Sequence, residues 1–277
     1  MRVPTVELNN GVQIPQIGFG TYKIPAVETA SVVQTALELG YRHIDTAQMY
    51  RNEFEVGEGL RRSGIPRSEV FITTKLNNAF HSRQAALGAF EKSLAELKLD
   101  YVDLFLIHWP LPALDQYVEA WQALERIYTE GRARAIGVSN FQPAHLEKLL
   151  AQTDIVPAAN QIEIHPYLSQ NPVRNFDANH GIATAAWSPL GRGRVLQDST
   201  ITELAANHGV SAAQIILRWH LQRGDIAIPK SVHRERMAQN IEIFGFELSP
   251  SEVALLDGLN RDERFGSHPD EENRTDR

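Results

Sequence analysis

Apolar and polar residues alternate at the start of the chain, with Val6 and Leu8 before Asn9-Asn10-Gly11 and Val12 and Ile14 after it. This pattern predicts a β-hairpin over residues 5–15, because Asn and Gly tolerate the positive φ that a tight turn requires. Beyond it, short and mostly apolar runs are each followed by a segment with helical spacing. The first run is Ile17–Thr21, and the helix after it, from about Glu28 to Leu39, carries Ala30, Val33, Ala36 and Leu37 on one face. Further runs cover Arg42–Thr46, Val70–Lys75, Val102–His108, Arg134–Ser139, Ala158–Ile162, Ile182–Trp187 and Ile226–Pro229. Helical spacing fills the intervals at Ala85–Leu97, Val118–Tyr128 and His145–Leu150, and a loop at Ser188–Asp198 precedes two short helices, Ile201–His208 and Ala212–Gln222.

Eight strand and helix units with no long linker predict one domain over residues 1–277, an α/β protein built as a closed (β/α)8 barrel. The hairpin at 1–15 is an addition to it, as are two extra helices. An open, doubly wound sheet is the alternative that the pattern alone leaves. The second, third and fourth strands end at Asp45, Lys75 and His108, spaced by 30 and 33 residues, the length of one unit. The polar tail at 262–277 lacks the apolar content to pack by itself.

Composition narrows the function. The chain is 43% hydrophobic and 22% charged, as in an ordinary soluble globular protein. A net charge of −7 argues against a nucleic-acid partner. The absence of cysteine rules out disulfides and cysteine-ligated zinc, and no metal site is expected. No apolar run approaches a signal peptide or a membrane span, so a cytoplasmic protein is expected.

In a barrel the strand ends meet at one mouth, so Asp45, Lys75 and His108 converge there with Tyr50, which follows Asp45 by five residues. A buried lysine needs an anion to stay charged, and Asp45 on the neighbouring strand supplies one. The ammonium beside Tyr50 is then expected to draw the phenol from about 10 toward neutrality, where it serves as a general acid. One imidazole nitrogen of His108 would orient the same carbonyl oxygen. Each group alone also reads as structure, Asp45 and Lys75 as an ion pair and His108 as a core residue. Four of them on one face are harder to explain that way. A lysine nucleophile forming a Schiff base in an unrelated barrel is a further alternative.

The whole chain to about residue 265 resembles an aldo-keto reductase, most closely the short prokaryotic 2,5-diketo-D-gluconate reductase type. The likeness is carried by Gly40–Ala47 with Tyr50, Asn52-Glu53 and Val56-Gly57, then by Leu99–Pro110, Ile136–Phe141, Asn160–Glu163 and Ile228–Ser231. It implies that Tyr50 is the proton donor, that Lys75 and Asp45 tune it, and that His108 orients a small carbonyl substrate reduced by NADPH. A non-catalytic NADPH sensor on the same fold is the alternative, and a monomer is the family default.

There is no G-x-G-x-x-G, since Gly18-Phe19-Gly20 and Gly191-Arg192-Gly193 both lack the third glycine, so a Rossmann site is not indicated. The cation-rich turn Ile228–Arg236 at the end of the last strand suits a 2′-phosphate, favouring NADPH over NADH. By the resemblance, Lys230, Ser231, Val232 and Arg236 carry that phosphate and Gln239 and Asn240 reach the adenine. Ser139, Asn140 and Gln161 hold the carboxamide, Trp187 stacks on the nicotinamide, and Ser188, Leu190 and Gly191 line the pyrophosphate loop. Departures from the family pattern are Gln239 for a glutamate, His233 for an arginine and Asn77 for a tryptophan, the last leaving the pocket open on one side. Tyr22, Trp109 and Phe80 are expected to line it.

Overall fold

The structure, a computed structural model, describes residues 3–275. The hairpin pairs β1 (Thr5–Glu7) with β2 (Gln13–Pro15) in the register Val6 opposite Ile14, and Gly11 takes the positive φ of 81° in its turn. It plugs the amino-terminal end of the barrel. Asn9 and Asn10 donate to the carbonyls of Pro157 and Arg134, and Leu8 and Ile14 join the interior cluster with Leu104, Leu106 and Ile226.

Eight parallel strands follow: β3 (Phe19–Gly20), β4 (His43–Asp45), β5 (Phe71–Leu76), β6 (Val102–Ile107), β7 (Ala133–Ser139), β8 (Ala159–Glu163), β9 (Ala183–Trp187) and β10 (Ile226–Ile228). They pair in sequence order, and the ring closes where Ile17 bridges Ala227 and where Gly18 N–H donates to the Ala227 carbonyl at 2.9 Å. The barrel is therefore closed and not an open sheet.

The helices are α1 (Ala26–Glu38), α2 (Glu53–Ser63), α3 (Arg83–Leu97), α4 (Tyr117–Thr129), α5 (Pro143–Gln152), α6 (Asn171–Asn179), α7 (Ser199–His208), α8 (Ala212–Gln222), α9 (Arg234–Ile241) and α10 (Pro250–Asp257). Among the described residues, α7 and α10 stand outside the eight units. No helix there is long and apolar enough to cross a membrane.

Period two along each strand sorts the side chains. In β6, Phe105 and Ile107 face outward into the helix layer with Leu124 and Ile136, while Leu104 and Leu106 fill the interior. The same parity places Asp45, Lys75, His108, Ser139, Gln161 and Trp187 on the inner face at the carboxyl ends of their strands. That face opens onto the mouth.

The tail after α10 packs against the barrel, through polar contacts and one aromatic stack. Glu163, fully buried at the end of β8, accepts the N–H groups of Phe265 (2.8 Å) and Gly266 (2.9 Å), and Phe265 stacks on His165 with ring centres 4.6 Å apart. Farther on, Ala113 N–H donates to Asn273 and Asn78 donates to the Arg274 carbonyl. The tail thus crosses the rim of the mouth from β8 to the loop after β5.

Candidate active site

Lys75 is completely buried, and its ammonium donates to Asp45 Oδ1 at 2.6 Å, the Thr46 carbonyl at 2.9 Å and the Tyr50 hydroxyl at 3.3 Å. The second Asp45 oxygen accepts from Gln161 Nε2 at 2.7 Å, so both carboxylate oxygens are engaged. Tyr50 sits on a 3-10 turn (Gln48–Tyr50) that ends at Arg51, which takes a left-handed φ of 56°. Its ring lies against His108 at 5.7 Å and Tyr22 at 5.0 Å. The four predicted groups do converge.

Their electrostatics differ from expectation. Burial, reinforced by the Asp45 carboxylate and then by Tyr22, holds the Tyr50 phenol well above its ordinary range and not near neutrality. Lys75 does not draw it down because its charge is already matched at 2.6 Å by Asp45. Burial lowers the Lys75 ammonium in spite of that carboxylate. Burial, with the Lys75 charge second, holds His108 well below the ordinary imidazole value, so the ring is neutral. Its Nδ1 is buried without a partner, which leaves Nε2 as the nitrogen that serves the cleft.

The residues expected to hold a carboxamide form a bonded wall. Ser139 Oγ donates to the Gln161 carbonyl at 2.8 Å. Asn140, at a left-handed φ of 65°, donates to the His108 carbonyl at 2.9 Å and accepts the Trp187 indole N–H at 2.8 Å. This fixes the Trp187 ring relative to the loop that carries His108.

A cleft of about 1030 Å³ runs along this wall, from Tyr22, Asp45, Tyr50, His108 and Trp109 past Ser139, Asn140, Gln161 and Trp187 to Ser188 and Leu190, and on to Ile228, Lys230, Ser231, Val232, Arg236, Gln239 and Asn240. It is large enough for a dinucleotide and a small substrate together. Lys23, Arg192, Lys230 and Arg236 bring positive charge to the cleft, where a phosphate would be matched, and the flat Trp187 ring lies in the same wall as Tyr50. These features fit a nicotinamide dinucleotide. His233, which stands in place of an arginine, is also in the wall.

Three residues singled out in the sequence do not line the cleft. Gly191 is buried behind the wall, where a side chain would press on Val195 and Phe265. Phe80, 39% exposed, does not line the cleft, and neither does Asn77, whose backbone N–H donates to Gln48 at 2.7 Å. Sequence reasoning missed Lys23, Met49, Arg192, Gly266 and Ser267 in the wall. Met49 lies inside the Asp45-to-Tyr50 motif and was within reach, whereas Gly266 and Ser267 belong to a tail without periodicity.

The family model described as the aldo/keto reductase family matches residues 16–261. Morphine 6-dehydrogenase of Pseudomonas putida is 49% identical over 96% of this chain and 94% of its own length, and glyoxal reductase of Bacillus subtilis is 48% identical over 96% of each. Among solved structures, a variant of Gox0644 in complex with NADPH superposes with a TM-score of 0.95 at 43% identity, covering 98% of this chain and 99% of its own. A parallel eight-stranded barrel with a tyrosine, a lysine, an aspartate and a histidine at its mouth is the architecture of a carbonyl oxidoreductase. The chain belongs to the aldo/keto reductase family.

Proposed function

We propose that the protein reduces small aldehydes and ketones to alcohols with NADPH, and that Tyr50 gives the proton. The observation that carries this reading is the Tyr50 hydroxyl 3.3 Å from Lys75 Nζ in the same cleft as Trp187 and the Lys230–Arg236 turn. When bound, NADPH supplies the hydride. Lys230, Ser231, Val232 and Arg236 hold its 2′-phosphate end, Gln239 and Asn240 its adenine, Ser188 and Leu190 its pyrophosphate, and Ser139, Asn140, Gln161 and Trp187 its nicotinamide.

The chain's own residues manage the oxygen. His108, neutral, donates from Nε2 to the carbonyl oxygen and orients it between the imidazole and the phenol. As that oxygen gains charge, the Tyr50 O–H bond breaks and its proton passes to the oxygen, completing the alcohol. The phenolate left behind faces the Lys75 ammonium, which stabilises it at the moment it forms. Asp45, fixed by Gln161, keeps the ammonium charged in a site where burial alone would discharge it. Because the phenol is fully protonated in the free protein, the acid is loaded before substrate arrives.

Dicarbonyls such as methylglyoxal or diketo-sugar acids are the substrates we favour, supported by the 48% identity to a glyoxal reductase. NADPH consumption by the purified protein against methylglyoxal, a diketo-sugar acid and an aromatic aldehyde tests this. Turnover of the dicarbonyls is the expected result. Tight NADPH binding with no turnover of any of them would replace the enzyme with a nucleotide sensor.

A further inference from the structure

We propose that Gln48 is a positioning residue for Tyr50, acting through a chain of side-chain hydrogen bonds that ends at Thr74, next to Lys75; this rests on the reading of Tyr50 as proton donor. Gln48 and Met49 fill the two positions between Ala47 and Tyr50 to which the family resemblance gives no role. Met49 faces the cleft. The Gln48 side chain is turned instead into the packing between β5 and α3.

Its Nε2 donates to the Ala89 carbonyl and to Ser93 Oγ, each at 2.9 Å, and both partners lie on α3. Its Oε1 accepts the Asn77 N–H at 2.7 Å, just past the end of β5. These bonds pin the first residue of the turn that carries Tyr50 to the strand that carries Lys75. The chain continues from there. Ser93 Oγ donates to Glu53 Oε2 at 3.1 Å, and Thr74 Oγ1 donates to Glu53 Oε1 at 2.5 Å. Ser93 and Thr74 are fully buried and Glu53 is 7% exposed. The chain therefore begins two residues before the phenol and ends one residue before the ammonium.

This matters because the Tyr50 hydroxyl makes the longest of the three Lys75 bonds, 3.3 Å against 2.6 and 2.9 Å. Asp45 and Thr46 are held on a paired strand or at its end, whereas Tyr50 stands on a single turn. Without a tie on that turn, the phenol is free to drift from both the ammonium and the reacting oxygen, and proton transfer loses rate steeply with misplacement.

Gln48→Leu keeps the bulk and removes all of the Gln48 side-chain bonds, while Ser93→Ala removes the Gln48-to-Ser93 and Ser93-to-Glu53 bonds and leaves those of Gln48 with Ala89 and Asn77. Trp121→Phe is the control, removing the partly buried bond to the Ile155 carbonyl, 3.1 Å long and on the outer side of the barrel. Each variant is measured for melting temperature, NADPH Kd, and kcat and KM with methylglyoxal, using NADPH and NADPH deuterated at the transferring position. For Gln48→Leu, kcat should fall about tenfold to a hundredfold, with NADPH Kd and KM within about twofold and a larger deuterium effect on kcat. Ser93→Ala should show the same pattern with a smaller fall, and Trp121→Phe should lose melting temperature with kcat kept. If Gln48→Leu loses melting temperature and keeps kcat, the residue is only structural and the proposal is overturned. Should Gln48→Leu not fold, Ser93→Ala decides by the same criterion. Full activity in Tyr50→Phe, run beside them, would remove the donor reading itself, whatever the Gln48 result.

Discussion

Lys75 Nζ stands 3.3 Å from the Tyr50 hydroxyl, yet burial first, and second the Asp45 carboxylate that matches the same ammonium at 2.6 Å, hold the phenol above its ordinary value. An ammonium shared in this way cannot act on the phenol as a free charge. Its effect on Tyr50 is confined to the moment when the proton leaves.

The pH dependence follows from the signs. Tyr50, raised, stays protonated as pH rises, and His108, lowered, stays neutral as pH falls. For reduction, kcat/KM should therefore be flat from about pH 6 to about pH 9, a range that brackets the ordinary imidazole value and stops short of the ordinary phenol value. A steady fall beginning near pH 7 would indicate that the phenol titrates near neutrality in the free protein after all.

Glu163 anchors the tail across the mouth by accepting two backbone N–H groups. In Glu163→Gln one acceptor becomes an NH2 facing a donor, at a cost of about 1.5–3 kcal/mol for the lost charged bonds. Trypsin cleavage at Arg264 should then quicken roughly tenfold or more as the tail opens. Unchanged cleavage would mean that Phe265 on His165 suffices to hold it.

Asp177 is fully buried between Asn160 (3.2 Å) and Thr184 (2.9 Å), and burial pushes its carboxyl up to about 7 from 3.8. The folded state thus holds a proton that the unfolded state has lost between about pH 4 and pH 7, so the contribution of this group to stability falls as pH rises through that window. Relative to the parent, Asp177→Asn should gain on the order of 1–4 kcal/mol at about pH 8 and lose most of that gain by about pH 5. Urea unfolding at the two pH values measures it, and a difference independent of pH would contradict the assignment.

Much of this is legible in the sequence because a strand encodes its inward face in alternate residues. Asp45, Lys75 and His108 can be placed at one mouth from their spacing alone, and the motifs around them carry the family. Burial is what spacing does not encode. The expected Tyr50 shift has the wrong sign because the sequence shows that Lys75 is near, but not that Asp45 occupies it and that the phenol is desolvated. The packing of the tail escapes for a related reason: its anchor is a buried acid on β8, roughly a hundred residues away, and its backbone N–H groups leave no mark in residue type. Gln48 lies in full view between Ala47 and Tyr50, but its partners on α3 become visible only after folding.

The most direct test of Tyr50 as proton donor is the single variant Tyr50→Phe, which removes one oxygen and keeps the ring against Tyr22 and His108. Its kcat with methylglyoxal should fall by about 10²–10⁴, with NADPH binding within about twofold of the parent. Tyr50→Phe that reduces methylglyoxal at the parent rate would mean that the proton comes from another group, and the roles of Lys75 and Asp45 in supporting the phenol would fall with it.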